Sequence, residues 1–382
     1  MTLSVQGTCD PAFAAVRDAF ASNFEAGLET GASLAIGVDG RQVVDICAGY
    51  MDEAETKPWE RDTVSCIFSC TKGIVAVLAA LLVDRGLLDL DAPVATYWPE
   101  FAKGGKADLP VRYLLTHESG LSAIGKPMPL GSLSDWDAMT TALAEQEPWW
   151  EPGSGHGYHG VTYGHLIGEV IHRVTGRMPG LFCADELARP LGIDLLMPLP
   201  EAEEHRTADM VLSIPTGPTF FSHWRPDDLG PKSFGNPPDS NDVGYTNTRP
   251  YRGAEIPAAN MHGNARALER VYALLACGGE LNGTRLLSRE TVETFGRKQV
   301  EGEDLVMRLP TAFAMGFEHT LPEWTFGPNP RTYGHNGSGG SLGIVDPDTG
   351  LSLGYVMNRM FWGPTRDDPR WPALFDAVYG AL

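Results

Sequence analysis

The pattern of apolar and polar residues predicts β-strands near both ends of the chain. Residues 32–38 and 41–47 have strand-like composition and flank Asp39-Gly40, a pair that favours a tight hairpin turn. A second hairpin is predicted near the other end, with strands over residues 341–345 and 351–357. Strand segments that lie so far apart in sequence indicate one sheet assembled from both ends of the chain.

Apolar residues recur with helical spacing through much of the remaining sequence. A strongly apolar run, residues 74–83, is followed by Gly86, a typical helix stop signal. Helices are predicted, in chain order, over residues 10–24, 74–83, 111–115, 136–146, 163–174, 262–275, 290–298 and 372–382, and a further strand over 311–319.

This order of elements predicts an α+β fold, an α/β sandwich in which helices flank an antiparallel sheet built from both termini. We expect residues 1–86 and 255–382 to form the sheet domain and residues 87–254 to form a mostly helical inserted domain. The active site is expected in the cleft between them. Residues 212–258 are rich in Pro, Gly, Asp and Asn, a composition typical of irregular segments that line a site.

Composition narrows the possible functions. The 382 residues are 43% apolar and 20% charged, as in globular proteins. The net charge of −20 argues against nucleic acid and anionic membrane surfaces as partners. No apolar run is long enough to span a bilayer, and the first five residues lack the basic and apolar regions of an export signal. A cytoplasmic protein that binds a small molecule is therefore predicted.

The cysteines and glycine-rich segments give no sign of a cofactor. The six cysteines are scattered, without C-x-x-C or Cys/His metal spacing, so we predict free thiols. No phosphate-binding loop is present. We expect neither a metal nor another cofactor.

The strongest chemical signal is Ser69-Cys70-Thr71-Lys72, the only S-x-x-K in the chain. It opens the predicted helix, so Lys72 falls on the same helix face as Ser69, one turn later. A serine hydroxyl needs a neighbour that takes its proton, and a buried lysine with a lowered pKa can do so. The helix N-terminus supplies free N–H groups for an oxyanion. The alternative is an ordinary helix start with a solvent-seeking lysine.

Three motifs in chain order resemble a known superfamily. Ser69-x-x-Lys72, Tyr158-His159-Gly160 and His335-Asn336-Gly337 resemble the S-x-x-K, Y-x-N and K-T-G motifs of the serine β-lactamase and penicillin-binding-protein superfamily. Further segments are similar to its esterase branch, the class C β-lactamase-like (family VIII) carboxylesterases: residues 32–49, 116–121, 255–279 and 334–360. The resemblance implies a β-lactamase/transpeptidase-like fold.

The resemblance also implies roles for individual residues. Ser69 would attack the acyl carbonyl, with Lys72 and Tyr158 sharing the general-base task and Tyr158 returning a proton to the leaving alkoxide. The oxyanion hole would consist of the backbone N–H groups of Ser69 and Ser338. A nearby ammonium is expected to favour the phenolate form of Tyr158. Substrate-binding positions would be Gly160 and His335 with the two residues after it, Asn336 and Gly337.

Two departures from the superfamily pattern bear on the substrate. Gly160 replaces the asparagine of Y-x-N, and His335 replaces the lysine of K-T-G. In the penicillin-recognising members those side chains help to hold the amide and the carboxylate of the substrate. Their loss weakens the case for lactam or peptidoglycan hydrolysis and fits a site for less polar esters.

Other candidate residues have ordinary structural explanations. His117 is expected to fix a loop, and Tyr158 and His335 could be buried side chains with satisfied hydrogen bonds. Gly339 to Gly343 matches G-x-S-x-G, but the predicted hairpin after it argues against Ser341 as a nucleophile. Aromatic residues in loops are candidates for core or for the wall of a substrate pocket: Trp149, Trp150, Phe220, Phe221 and Trp224.

The leading hypothesis is a serine carboxylesterase that hydrolyses short-chain acyl esters through a Ser69 acyl-enzyme. A β-lactamase, a D-aminopeptidase-like amidase and an acyltransferase are alternative enzymes. The non-enzyme alternative is a penicillin-binding-protein homologue that binds ligands without turnover.

Overall fold

The computed structural model describes residues 4–212, 219, 221–322, 325–363 and 367–382. Its strands are β1 Gln6–Cys9, β2 Gly31–Val38, β3 Arg41–Gly49, β4 Ser65–Cys66, β5 Leu195–Leu196, β6 His262–Gly263, β7 Glu280–Leu281, β8 Thr284–Arg285, β9 Val300–Glu303, β10 Pro310–Phe313, β11 Glu318–His319, β12 Tyr333–Asn336, β13 Leu342–Asp346 and β14 Leu351–Met357. Its α-helices are α1 Ala14–Glu25, α2 Cys70–Asp84, α3 Arg112–Leu115, α4 Trp136–Glu145, α5 Tyr163–Thr175, α6 Pro179–Cys183, α7 Arg189–Leu191, α8 Leu229–Gly235, α9 Val243–Thr246, α10 Arg249–Arg252, α11 Ala265–Ala276, α12 Arg289–Gly296 and α13 Trp371–Gly380.

The predicted mixed fold with a large antiparallel sheet is confirmed. Within the described residues the sheet has nine strands in the order β1-β3-β2-β14-β13-β12-β11-β10-β9, and every neighbouring pair is antiparallel. The join between the two ends of the chain is the pair β2–β14, in which Leu34 lies opposite Tyr355. Helix α11 packs on β2, β13 and β14, and α1 packs against α13.

The two predicted hairpins form because their turns have the required chemistry. Asp39 and Gly40 both have positive φ, 50° and 77°, as the tight turn between β2 and β3 requires. Between β13 and β14, the Asp346 side chain accepts a hydrogen bond from the Asp348 N–H, and Gly350 has φ 69°. Both strands of each hairpin are buried along most of their length, which fixes their register.

The structure differs from the sequence prediction in several short segments. Residues 262 and 263 form β6 and pair with β4, so the helix predicted over 262–275 begins only at Ala265, where the Asn264 side chain caps it. The strand predicted over 311–319 is two strands, β10 and β11, joined by a turn at Gly316. The short strands β1, β4, β5, β7, β8 and β9 were not predicted.

Helix α2 forms the centre of the molecule. Every side chain from Cys70 to Leu82 is buried, as its nearly continuous apolar sequence predicts. The helix contacts α5, α6 and α12 as well as β12 and β13 of the sheet. Gly73 allows this close packing, because a Cβ there would lie 2.5 Å from the hydroxyl of Tyr272. The N-terminus of α2 is thereby held beside the edge of β12.

The cysteines form no disulfide bonds. All six cysteines are free thiols, and four of them are buried. Among the described residues, no helix has the length and apolar character needed to cross a bilayer.

Candidate active site

The Ser69 side chain is presented at the start of α2 by a strained turn. Strand β4 leads into Phe68, a non-glycine residue with φ 43°, and Ser69 is the N-cap residue of the helix. Such a φ is unfavourable for a bulky residue and persists only where the surrounding structure enforces it. The turn places Ser69 in the wall of two cavities that meet at this residue.

Lys72 lies directly beneath Ser69 and is fully buried. Its Nζ is 2.9 Å from Ser69 Oγ, 2.8 Å from the Gly160 carbonyl and 2.9 Å from the Ala258 carbonyl. Burial lowers the pKa of Lys72 to about 7, although the nearby Glu318 carboxyl acts in the opposite direction. Close to neutral pH the amine is therefore available as a base.

The three acceptors around Lys72 suit both of its protonation states. An ammonium has three N–H donors, one for each oxygen. A neutral amine has two N–H donors, which match the Gly160 and Ala258 carbonyls, and one lone pair, which is left for the Ser69 hydroxyl. Proton transfer from Ser69 to Lys72 therefore needs no rearrangement of the side chain.

Tyr158 completes the group of three predicted catalytic side chains. The Lys72 Nζ lies 5.0 Å from the centre of its ring. The ring stacks parallel to Phe313, with 6.0 Å between ring centres, and the backbone N–H donates to both oxygens of the Asp304 carboxylate at 3.1 and 2.9 Å. The structure thus brings together a hydroxyl, an amine and a phenol that lie up to 89 residues apart in sequence.

The expectation of a phenolate at Tyr158 was wrong. Burial raises the pKa of Tyr158 well above its usual value, and the Glu318 carboxyl adds to this, while hydrogen bonding with Ser69 only partly opposes it. Lys72 cannot reverse the effect because its own pKa is near 7. Tyr158 is therefore a neutral phenol and can donate a proton, but it is not a standing base.

The predicted oxyanion-hole groups lie on the two sides of the cleft. Ser69 opens α2, and Ser338 follows β12; neither backbone N–H has a hydrogen-bond partner among the described residues. Gly337 allows the approach of the two segments, because a Cβ there would lie 2.4 Å from the Ile67 carbonyl oxygen. Ser341 donates to that same carbonyl at 2.9 Å and is fully buried, so it fastens the loop and lies outside both cavities.

His335 does not line either cavity, in contrast to its predicted position at the substrate. Its ring is buried, and its Nδ1 lies 2.7 Å from the Asn336 carbonyl. Burial, with a smaller contribution from Lys72, lowers the pKa of His335 to about 3. The ring is neutral and cannot replace the positive charge of a K-T-G lysine. Asn336 and Gly337 do line the cleft.

At Gly160 the missing side chain is replaced by an aromatic ring from another element. A Cβ on Gly160 would lie 2.3 Å from Cζ of Phe234, which belongs to α8. Space that an asparagine occupies in the Y-x-N motif is thus taken up by an apolar ring. This substitution of polar by aromatic surface agrees with a site for less polar substrates.

The cleft has two lobes that share Ser69 and Ser338. The larger, Tyr158 lobe is bounded by Tyr158, Glu318 and Asn336, and the smaller, Gly160 lobe by Gly160, Val161 and Val243. Side chains of Phe221, Phe234 and Trp362 line both lobes. Both lobes open at Ser69, an arrangement suited to the two halves of an ester.

The other predicted aromatic residues have mixed positions. Trp224 packs against Phe221, with ring centres 4.7 Å apart, and so supports the wall of the cleft. Trp149 and Trp150 donate their indole N–H groups to carbonyls of Ala123 and Gly155 and do not line either lobe. Phe220 lies outside the described residues.

His117 holds a loop in place, as expected from the sequence. It is buried with φ 63°, and its Nδ1 accepts a hydrogen bond from the His159 N–H at 3.2 Å. Its ring also packs on the rings of Tyr158 and Phe313.

Sequence reasoning missed two acidic residues at the site. Asp304 holds the backbone of Tyr158, and Glu318 lines the Tyr158 lobe next to Asn336. Asp304 follows strand β9 and Glu318 begins strand β11, and neither belongs to a recognisable motif. Only their burial identifies them, because a buried carboxyl requires partners that sequence spacing does not reveal.

The fold and these side chains define a serine hydrolase, and comparison with known proteins gives the same class. The Beta-lactamase family model matches residues 20–377. The chain is 37% identical over 364 residues to the esterase/beta-lactamase LipL of Mycobacterium tuberculosis, an alignment that covers 93% of this chain and 83% of LipL. The chain belongs to the β-lactamase family.

Two solved structures have the same fold over nearly the whole chain. The crystal structure of a family VIII carboxylesterase is 38% identical, with a TM-score of 0.90, and covers 99% of this chain and 100% of that chain. A penicillin-binding-protein homologue from Caulobacter crescentus is 37% identical, with a TM-score of 0.92 and the same coverage.

Proposed function

We propose that the protein is a carboxylesterase that hydrolyses short-chain acyl esters through an acyl-enzyme on Ser69. The observation that carries the proposal is the position of Lys72 Nζ, 2.9 Å from Ser69 Oγ and held by two carbonyls. The names of the relatives, an esterase/beta-lactamase and a family VIII carboxylesterase, support the same substrate class.

The first half-reaction transfers the acyl group to the enzyme. Neutral Lys72 takes the proton of Ser69 as Oγ attacks the ester carbonyl, and the backbone N–H groups of Ser69 and Ser338 stabilise the oxyanion. Tyr158 gives its proton to the leaving alkoxide, and Lys72 restores the proton of Tyr158. The C–O bond to the alcohol breaks and an ester to Ser69 remains.

The second half-reaction uses the same groups with water as the nucleophile. Water loses a proton to the Lys72–Tyr158 pair, attacks the acyl-enzyme, and releases the carboxylic acid as Ser69 Oγ regains a proton. All groups return to their starting states, so no external cofactor is needed for this cycle.

The test is hydrolysis of p-nitrophenyl acetate and butyrate by the wild type and Ser69→Ala. We expect loss of at least about 10³-fold in kcat for the variant, since the nucleophile itself is removed. Undiminished turnover in Ser69→Ala would overturn the proposal. A fluorophosphonate probe that labels the folded wild type and not the variant separates a working enzyme from a binding protein without turnover.

A β-lactamase or amidase activity is disfavoured by the buried, neutral ring of His335. Nitrocefin hydrolysis with a kcat/KM equal to that of the best ester would reverse this preference. Added alcohols that yield new esters would reveal acyl transfer.

Location and domain division are part of the same proposal. We propose a cytoplasmic enzyme in which residues 1–86 and 255–382 form one domain and residues 87–254 the other. The side chains that meet at the cleft come from both parts: Ser69 and Ser338 from the first, Tyr158 from the second.

A further inference from the structure

The two lobes of the cleft are not equivalent for the ester. Tyr158, which returns the proton to the leaving oxygen in the proposed mechanism, lines only the larger lobe. The alcohol half of the ester must therefore face the Tyr158 lobe, and the acyl half must face the Gly160 lobe. The lining of the Tyr158 lobe thus decides which alcohols are accepted.

Glu318 is a carboxyl in the wall of that lobe. Its Oε2 accepts hydrogen bonds from the side-chain and backbone N–H groups of Asn336, at 2.8 and 3.3 Å. Its Oε1 has no hydrogen-bond partner among the described residues, and the side chain keeps 17% of its surface exposed. One carboxylate oxygen is therefore fixed to the protein and the other is left for a ligand.

The remainder of the lining favours a positive charge as well. Among the residues that the structure describes, no lysine or arginine lines the Tyr158 lobe, and its second carboxylate, Asp368, is paired with buried Arg370. Aromatic rings attract cations through the negative potential of their faces. The lobe is rich in them: Tyr158, Phe221, Phe234, Phe313, Phe361 and Trp362.

We propose that the Tyr158 lobe recognises esters of cationic alcohols, with Glu318 as the counter-charge and the surrounding rings as an aromatic cage. This inference rests on the proposed esterase function and specifies its substrate class. The combination of one carboxylate and several aromatic faces suits a quaternary or protonated amine better than a neutral alkyl group. The protein's net charge of −20 also favours the approach of a cation.

The charge of Glu318 depends on pH in a way that can be measured. Burial raises the pKa of Glu318 to about 8, against hydrogen bonding from Asn336 and the charge of Lys72, while Asp304 raises it further. The other ionisable groups around it are Tyr158, His335 on β12 at 3.9 Å, Cys70 on α2 and Tyr272 on α11. Selection for a cation should therefore strengthen as pH rises through 8.

The experiment compares acetylcholine with 3,3-dimethylbutyl acetate, a neutral ester of nearly the same shape, by pH-stat at pH 6.5 and pH 9. The two esters share the acetyl group, and the intrinsic difference between their leaving alcohols is the same for every enzyme variant, so a change in the ratio of their kcat/KM values with pH or substitution reports recognition of the charge. Glu318→Gln removes the charge and keeps an oxygen that can accept from Asn336. The matched control is Glu301→Gln, an exposed carboxyl on β9 that lines neither lobe.

At pH 9 we expect the wild type and Glu301→Gln to favour acetylcholine by about tenfold, and Glu318→Gln to lose at least half of that preference. A wild-type preference below about fivefold, or one that Glu318→Gln retains, overturns the inference. If Glu318→Gln does not fold, the wild type alone tests the inference. Its ratio of kcat/KM for acetylcholine to that for the neutral ester must be at least about twofold lower at pH 6.5 than at pH 9. If the wild type hydrolyses the neutral ester and Ser69→Ala does not, the esterase function is supported whatever the ratio between the two esters.

Discussion

At the scale of single residues, the site depends on a lysine that is stable in two charge states. Lys72 has three oxygen acceptors, and either form of its amine satisfies them. Burial lowers the pKa of Lys72 to about 7, and the amine loses no hydrogen bond when it gives up a proton. A base of this kind works at neutral pH without a partner histidine.

The pH profile of kcat/KM should report this lysine. Because Lys72 must be neutral to accept a proton, and its pKa is lowered from 10.5 to about 7, activity should rise about tenfold per unit up to about pH 7 and then level off. p-Nitrophenyl acetate kinetics from pH 5 to pH 9, with circular dichroism at each pH to exclude unfolding, give the profile. Activity that still rises about tenfold per unit between pH 8 and pH 9 would show that Lys72 keeps its ordinary pKa and does not act as the base at neutral pH.

Gly160 provides a second prediction at this scale. Gly160→Ala places a methyl group 2.3 Å from Phe234 Cζ, so we expect overpacking of about 1–3 kcal/mol and a lower kcat/KM as the ring is pushed into the cleft. Gly235→Ala, in the same helix as Phe234, is the control, since a Cβ there meets nothing within 4 Å. Thermal unfolding and ester kinetics measure both effects.

The double variant Gly160→Ala/Phe234→Ala tests the cause. Removing the ring should recover much of the kcat/KM lost in the single variant, because the methyl group then has space. Equal losses in the single and double variants would mean that the ring contact is not responsible.

At the scale of elements, the loop that carries Tyr158 is held by the segment after β9. The carboxylate of Asp304 accepts the N–H groups of Tyr158, Val306 and Met307 and the hydroxyl of Thr311. One buried side chain thus joins the Tyr158 loop to the β9–β10 connection. Its role is to position Tyr158, because it does not line either lobe.

Asp304→Ala should therefore lower both stability and catalysis. It leaves several buried donors without an acceptor, so we expect a loss of about 3 kcal/mol in the free energy of unfolding, together with a fall in kcat larger than the change in KM. Asp304→Asn keeps the oxygen that accepts from Tyr158, Val306 and Met307 and should recover most of both. Urea denaturation and ester kinetics provide the measurements, and an Asn variant as impaired as Ala would contradict the positioning role.

The elements that could be predicted from sequence are those whose signals are local. Residues close together in sequence determine the hairpin at Asp39-Gly40, helix α2 and the Ser69–Lys72 pair. Strand β6 is two residues long and exists only because strands distant in sequence, β4 and β5, pair with it. Glu318 and Asp304 could not be identified from the sequence for the same reason. Glu318 binds Asn336, 18 residues away, and Asp304 binds Tyr158, 146 residues away.

At the scale of the whole molecule, charge opposes compactness. The chain has 49 acidic and 29 basic side chains, and the excess of acidic groups repel one another in the folded state. The surface ion pairs are individually weak and cannot offset this imbalance.

The melting temperature should consequently rise with salt. Between 20 mM and 500 mM NaCl we expect an increase of about 3 °C, because screening removes more repulsion than attraction in a protein of net charge −20. Scanning calorimetry measures the shift. A lower melting temperature in 500 mM NaCl would mean that the ion pairs outweigh the excess negative charge.

The strand order β3-β2-β14-β13-β12 has a consequence for biosynthesis. Ser69, Lys72 and Tyr158 all leave the ribosome well before residues 333–357, yet β2 has no β14 partner and Ser338 is absent until then. A nascent polypeptide would therefore carry the proposed acid–base groups while the second proposed oxyanion donor is still missing. Ester cleavage should begin only once residues 333–357 have emerged and joined the sheet.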